Sequence, residues 1–219
     1  MISVVNIIIE LSCLITAIIF LKKDGSLFSI LTRGYLAIVV IIETIGFSMS
    51  KGFHLNNAWL YNIFIIFEAA YISYGLYAAL NKLTNKALMI CSIPIITFTI
   101  TYIIEIYNHG FLKFNSLTIN LESVVFVVVC LVYFYLLIKQ KDPIDLNTNA
   151  QFWWVSGVLF YYFGSTIYNL FIYFLYQDFP KSYTILIYVM LILNLLLYSI
   201  WIYSYICNSR QRKLLLSSY

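Results

Sequence analysis

The chain has 219 residues, of which 63% are hydrophobic and 10% charged, with a formal net charge of +4. An average soluble domain carries about 25% charged residues, so a water-soluble globule is excluded. Most of the 13 Lys and Arg lie between or after the apolar runs, so the net charge reads as membrane orientation and not as nucleic-acid binding. Apolar runs of about 20 residues predict membrane-spanning helices instead. Backbone groups in lipid must be satisfied within their own segment, which favours helices. A transmembrane barrel would show alternating segments of about ten residues, and none is present.

The expected fold class is all-α: a polytopic seven-transmembrane-helix bundle over residues 1–207, followed by a short basic tail over 208–219. The first span, 2–21, sets Asn6, Glu10 and Cys13 on one face at about 100° per residue. Its lysines follow the apolar run rather than precede it, so it is not a cleavable signal peptide. After "KKDGS" comes the second span, 28–50, with Glu43 inside it and Arg33 placed to snorkel to the interface. "SKGFHLNN" leads to the third, 57–80, where Tyr61, Phe64, Glu68, Tyr71 and Gly75 share a face.

"NKLTNK" precedes the fourth span, 87–107, which holds Glu105 and which Pro94 is expected to kink. "NHGFLKFNS" opens the fifth, 118–138, with Glu122. "KQKDPIDLNTN" leads to the sixth, 151–177, where Tyr161, Gly164 and Tyr168 align beside Ser165 and Asn169. "QDFPKS" precedes the seventh, 183–207, which lines up Asn194, Tyr198, Trp201 and Tyr205. Trp153 and Trp154 are expected in the inner aromatic belt and Trp59 in the outer one. Gly75, Gly157 and Gly164 suit close helix approach.

Positive residues orient the bundle. Lys22, Lys23, Arg33, Lys82, Lys86, Lys139, Lys141, Arg210, Arg212 and Lys213 fall on one side, against Lys51, Lys113 and Lys181 on the other. The N-terminus is therefore expected outside and the C-terminus in the cytoplasm, in a bacterial inner (cytoplasmic) membrane.

The acids carry the sharpest signal. Asp24, Asp142, Asp145 and Asp178 lie in loops, whereas Glu10, Glu43, Glu68, Glu105 and Glu122 lie inside the first five spans. A carboxylate near mid-bilayer costs at least about 2.5–3.5 kcal/mol on insertion scales. Glu10, Glu43 and Glu68 fall near mid-span with no Lys beside them, so at least one is expected to carry its proton, as part of a coupled set. The expected intramembrane polar site comprises Glu10, Glu43, Glu68, Asn6, Tyr61, Tyr71, Asn169, Asn194 and Tyr198. An outward-facing vestibule is expected from Glu105, Glu122, His54 and His109. The plain alternative is that these groups are interhelical glue, worth about 0.6 kcal/mol per hydrogen bond.

Familiar chemistries are missing. No Lys stands in the seventh span to form a retinal Schiff base, and NPxxY, DRY, HExxH, GxGD and GxSxG are absent. The acids come without a nucleophile or metal set, so an enzyme is the least supported class, and no cofactor or metal is expected. Cys13, Cys91, Cys130 and Cys207 show no CxxC spacing and read as buried free thiols. Cys207, beside the basic tail, is a candidate for acylation.

The segments "NNAWLYNIFIIFE" (56–68) and "FWWVSGVLFYYFGSTIYNLF" (152–171) resemble small seven-helix bacterial integral membrane proteins often encoded near sensor histidine kinases. They are also similar to multi-span accessory membrane proteins of type VI-B CRISPR systems. The first resemblance implies a sensory or regulatory protein that acts through a cytoplasmic protein partner. The second implies a defence accessory or effector that alters permeability or nuclease activity. The acids themselves allow a proton-coupled transporter or channel. Expected partners are the lipid bilayer, that cytoplasmic protein and, as an open alternative, further copies in a homo-oligomer; direct nucleic-acid contact is not expected.

Overall fold

The computed structural model describes the backbone of residues 2–140, 145–178 and 182–217, and side chains over 3–140, 145–170 and 187–214. The described residues form seven helices: α1 (Ile2–Leu21), α2 (Leu27–Phe47), α3 (Ala58–Leu80), α4 (Ala87–His109), α5 (Ser116–Ile138), α6 (Ala150–Asp178) and α7 (Ser182–Ser217). Six of them are long and apolar enough to cross a membrane: α1 to α5, and α7 over Ile187–Leu214. Ile8, Ile15 and Ile19 of α1 and Leu88, Met89, Ile96 and Ile103 of α4 are exposed on the outside of the bundle. Such surfaces suit contact with lipid.

Local signals set the ends. The Ser26 hydroxyl accepts from the Ser29 N–H and caps α2. Gly110, at φ +73°, closes α4 in a conformation that glycine adopts without a Cβ penalty. α2 runs on into a five-residue π-helical turn, Ser48–Gly52, and α4 is continuous through Pro94. Of the expected tail, the described residues 208–217 continue α7. Nothing breaks the helix there: no Gly or Pro follows Cys207.

Short connectors make successive helices antiparallel. α1 packs on α2 and α7, α2 on α3, and α6 most extensively on α7. α3 touches α2, α4, α5 and α6 and is the central helix. One face of the bundle carries the starts of α1, α3, α5 and α7, and is called the N-terminal face below. The opposite face is tied together through Asp24, which accepts from the Ser26 N–H and from Asn208 Nδ2 of α7. Burial pushes the Asp24 carboxyl up, but those bonds and the charge of Arg212 more than offset it, holding the group below the usual aspartate range. On the same face the Asn147 carbonyl accepts from Trp153 Nε1, the Tyr203 hydroxyl and Cys207 Sγ. Cys207 is therefore 1% exposed and closed to acylation. All four cysteines are buried and free.

The core is aromatic. Tyr35 of α2 stacks on Tyr71 of α3 with centroids 4.1 Å apart. Trp154 of α6 stacks on Trp201 of α7 at 5.6 Å and 10°. Tyr71 meets both indoles edge-on, at 5.9 and 5.8 Å. Hydrogen bonds lock the group: Trp154 Nε1 donates to the Tyr71 hydroxyl, which also bonds Thr32, and Trp201 Nε1 donates to the Trp154 carbonyl. Trp154 thus lies at the centre of the bundle and not in an interfacial belt. Its indole N–H finds a partner there, and its ring fits over Gly75.

A methyl group on Gly75 would collide with ring carbons of Trp154, whereas one on Gly34 would meet nothing within 4 Å. Gly75→Ala is therefore expected to destabilise the purified protein by about 1–3 kcal/mol, read as a lower Tm in a tryptophan-fluorescence melt. Gly34→Ala leaves Tm unchanged or slightly raised. Equal effects of the two would remove the seating role of Gly75.

Candidate functional site

Two cavities lie back to back along the bundle. The first, about 360 Å3, occupies the N-terminal half. Its lining follows helical spacing on each element: Tyr35, Val39 and Glu43 on α2; Tyr61, Phe64, Ile65, Glu68 and Ile72 on α3; Asn194, Leu197, Tyr198 and Trp201 on α7. α1 contributes Glu10, α5 contributes Glu122 and Ser123, and α6 contributes Tyr161, Tyr162, Ser165, Tyr168 and Asn169. Four glutamates from four helices thus face one space. Among the described lining residues there is no Lys, Arg or His.

Two of these acids have a phenolic partner. The Tyr162 hydroxyl donates to Glu68 Oε1 at 2.7 Å, and the Tyr61 hydroxyl to Glu43 Oε2 at 3.3 Å. The other two are more deeply buried and less satisfied. Glu10 is 3% exposed and Glu122 5%, and Glu10 Oε2 and Glu122 Oε1 have no hydrogen-bond partner among the described residues. Buried polar atoms are paired in the great majority of cases, so these two carboxyls mark the cavity as chemically unusual. Among the described residues no three His, Cys, Asp or Glu side chains are close enough to hold a metal ion. The acids surround a volume rather than a point.

The second cavity, about 370 Å3, lies on the opposite face and is lined by Asp24, Phe28, Gly75, Lys82, Gln151, Trp154, Tyr205 and Asn208, among others. Trp201 lines the first cavity and Trp154 the second, so the stacked indole pair stands between them.

Of the residues expected in an intramembrane site, Glu10, Glu43, Glu68, Tyr61, Asn169, Asn194 and Tyr198 line the first cavity. Asn6 lies one turn from Glu10 outside the lining, with Oδ1 buried and unpaired among the described residues. Tyr71 belongs to the aromatic core, where its hydroxyl is taken by Thr32 and Trp154. Tyr35 and Tyr162 also line the cavity, with Trp201, which shares the face of Asn194 and Tyr198 in the sequence pattern but is not among the expected site residues. The spacing Tyr35–Val39–Glu43, four residues apart each time, was a signal for Tyr35.

The expected vestibule group is not brought together. Glu122 joins the cavity, while His54 is exposed in a loop and His109 is exposed at the end of α4. Glu105 reaches the start of α5, where its two oxygens accept from the Leu117 and Thr118 N–H groups at 2.9 and 2.8 Å. Those are orphan donors of a helix N-terminus, and Asn115 supplies no side-chain cap. Beside it Asn62, fully buried, donates to the Phe111 and Lys113 carbonyls and accepts from the Asn115 N–H. Together they fix the α4–α5 loop.

No protein-family model, curated protein or solved structure matches the chain.

Two outcomes test this assignment of roles. Glu105→Ala strands two buried N–H groups and is expected to cost about 1–3 kcal/mol, whereas Glu105→Gln keeps one acceptor and costs less; a melt in which Gln is as harmful as Ala would argue against capping. In infrared difference spectra, Glu68→Gln removes one carboxyl band and Tyr162→Phe shifts that same band. Tyr61→Phe leaves it in place.

Proposed function

We propose that this protein is a seven-span sensory or regulatory protein of the bacterial cytoplasmic membrane, N-terminus outside. In this reading it binds a small solute in the glutamate-lined cavity and acts through a cytoplasmic partner. The observation that carries the reading is the convergence of Glu10, Glu43, Glu68 and Glu122 on one space. Buried acids cost too much in a bilayer to be gathered without use. The positive-residue bias supports the orientation, and α6, 29 residues long, supplies the seventh crossing. The likeness of residues 56–68 and 152–171 to proteins encoded near sensor kinases points the same way. A route from cavity to cytoplasm runs through Trp201, the indole stack and Trp154 to the face where Asp24, Asn147 and α7 are tied together.

One observation favours a second reading. Cavities opening on opposite halves of the bundle, with an aromatic barrier between them, also suit a carrier that exposes its site to each side in turn.

Expression profiles of cells carrying wild-type protein, a deletion and Trp201→Ala separate these readings. A regulator changes a defined set of transcripts in both mutants, with no solute or proton flux in proteoliposomes above the protein-free level. Flux that Glu68→Gln abolishes would replace regulation with transport. Dye uptake and growth arrest on induction would favour a defence effector. Cysteine labelling from outside at Leu55→Cys and not at Thr84→Cys checks the orientation.

A further inference from the structure

The class of ligand can be read from the lining of the first cavity, taking that cavity as the binding site of the function proposed above. Its volume, about 360 Å3, is in the range of small-molecule sites. Its polar groups are four carboxyls together with Tyr and Ser hydroxyls and Asn amides, and none of its described lining residues is cationic. Glu10 Oε2 and Glu122 Oε1 have no hydrogen-bond partner among the described residues, and leaving such groups buried and unpaired costs stability. A cation entering this space would meet carboxyls from four helices and no competing positive side chain among the described lining residues.

Its form follows from two further facts. No three acidic, His or Cys groups among the described residues are spaced to chelate a metal ion, so a bare divalent cation would lack ligands. The walls between the acids are rings, with Tyr35, Tyr161, Tyr198 and Trp201 among them. Aromatic faces attract ammonium groups whose charge is spread over carbon substituents, and they do so best where water is excluded.

We propose that the cavity binds a small organic ammonium ion, with Glu10 and Glu122 as its charge partners and the rings of Tyr35, Tyr198 and Trp201 as its enclosure. Each carboxyl would meet the ligand from a different helix, α1 or α5. Occupancy would then draw α1 and α5 toward a common centre and press on Trp201, which links to Trp154.

Calorimetric titration of the full chain in nanodiscs, in an amine-free buffer, tests this. The probes are choline, tetramethylammonium and butylammonium chloride, with 3,3-dimethylbutan-1-ol as the neutral counterpart of choline. The expected result is saturable one-to-one binding of at least one ammonium ion and none of the alcohol. Glu10→Gln and Glu122→Gln each weaken binding about tenfold or more. Glu105→Gln, outside the cavity, lowers Tm without changing affinity, which separates misfolding from loss of the site. Absence of binding by all three ions would overturn the proposal. So would equal binding of the alcohol, or full displacement by sodium or calcium at matched ionic strength. Binding without any transcript change would leave this inference standing and remove regulation; transcript control without ammonium binding would do the reverse.

Discussion

The interior of this protein is organised by one aromatic contact set: Tyr35 on Tyr71, Trp154 on Trp201, with Tyr71 edge-on to both indoles. Between helices in lipid the hydrophobic effect does not distinguish inside from outside, so association rests on dispersion and on hydrogen bonds. Large flat rings supply contact area with preferred geometry. Three of the polar tips have partners: the Tyr71 hydroxyl bonds Thr32 and Trp154, and Trp201 bonds a backbone carbonyl. Four helices, α2, α3, α6 and α7, are fastened at that level. Because the rings fill the mid-section, the remaining space is divided into two chambers, one on each side.

The same constraint explains why the glutamates take different roles. Glu105 sits near the end of its helix, level with the start of α5, where backbone N–H groups lack carbonyl partners. It satisfies them and is consumed by structure. Glu10, Glu43, Glu68 and Glu122 accept from no backbone N–H among the described residues. They can only meet side chains or a guest. Tyrosines meet two of them, and each of the other two keeps a buried oxygen with no partner among the described residues.

Much of the fold was legible in advance. Expected spans at 2–21, 57–80 and 87–107 correspond to helices over Ile2–Leu21, Ala58–Leu80 and Ala87–His109. Hydropathy and turn residues suffice for that, since a membrane helix needs only length and apolar composition. The site was legible only in part. α3 is apolar nearly all round, and such a helix carries little mark of which face turns inward. Tyr71, three residues from Glu68, shares its broad face yet packs into the core. Trp154 reads as a belt residue by sequence position, and only the fit of its ring over Gly75 reveals the central place.

By itself, then, the sequence determined the helices, their limits and the confinement of every glutamate to them, because these follow from local composition and the cost of placing charge in lipid. Tertiary structure decided which glutamates meet. Glu10 and Glu122 are 112 positions apart in the chain and face one cavity only because α1 packs on α2 and α7 while α5 packs on α3 and α6, which brings both around one space. Helix rotation and neighbour choice are non-local, set by how rings and small residues interlock, and no periodicity within a single segment records them.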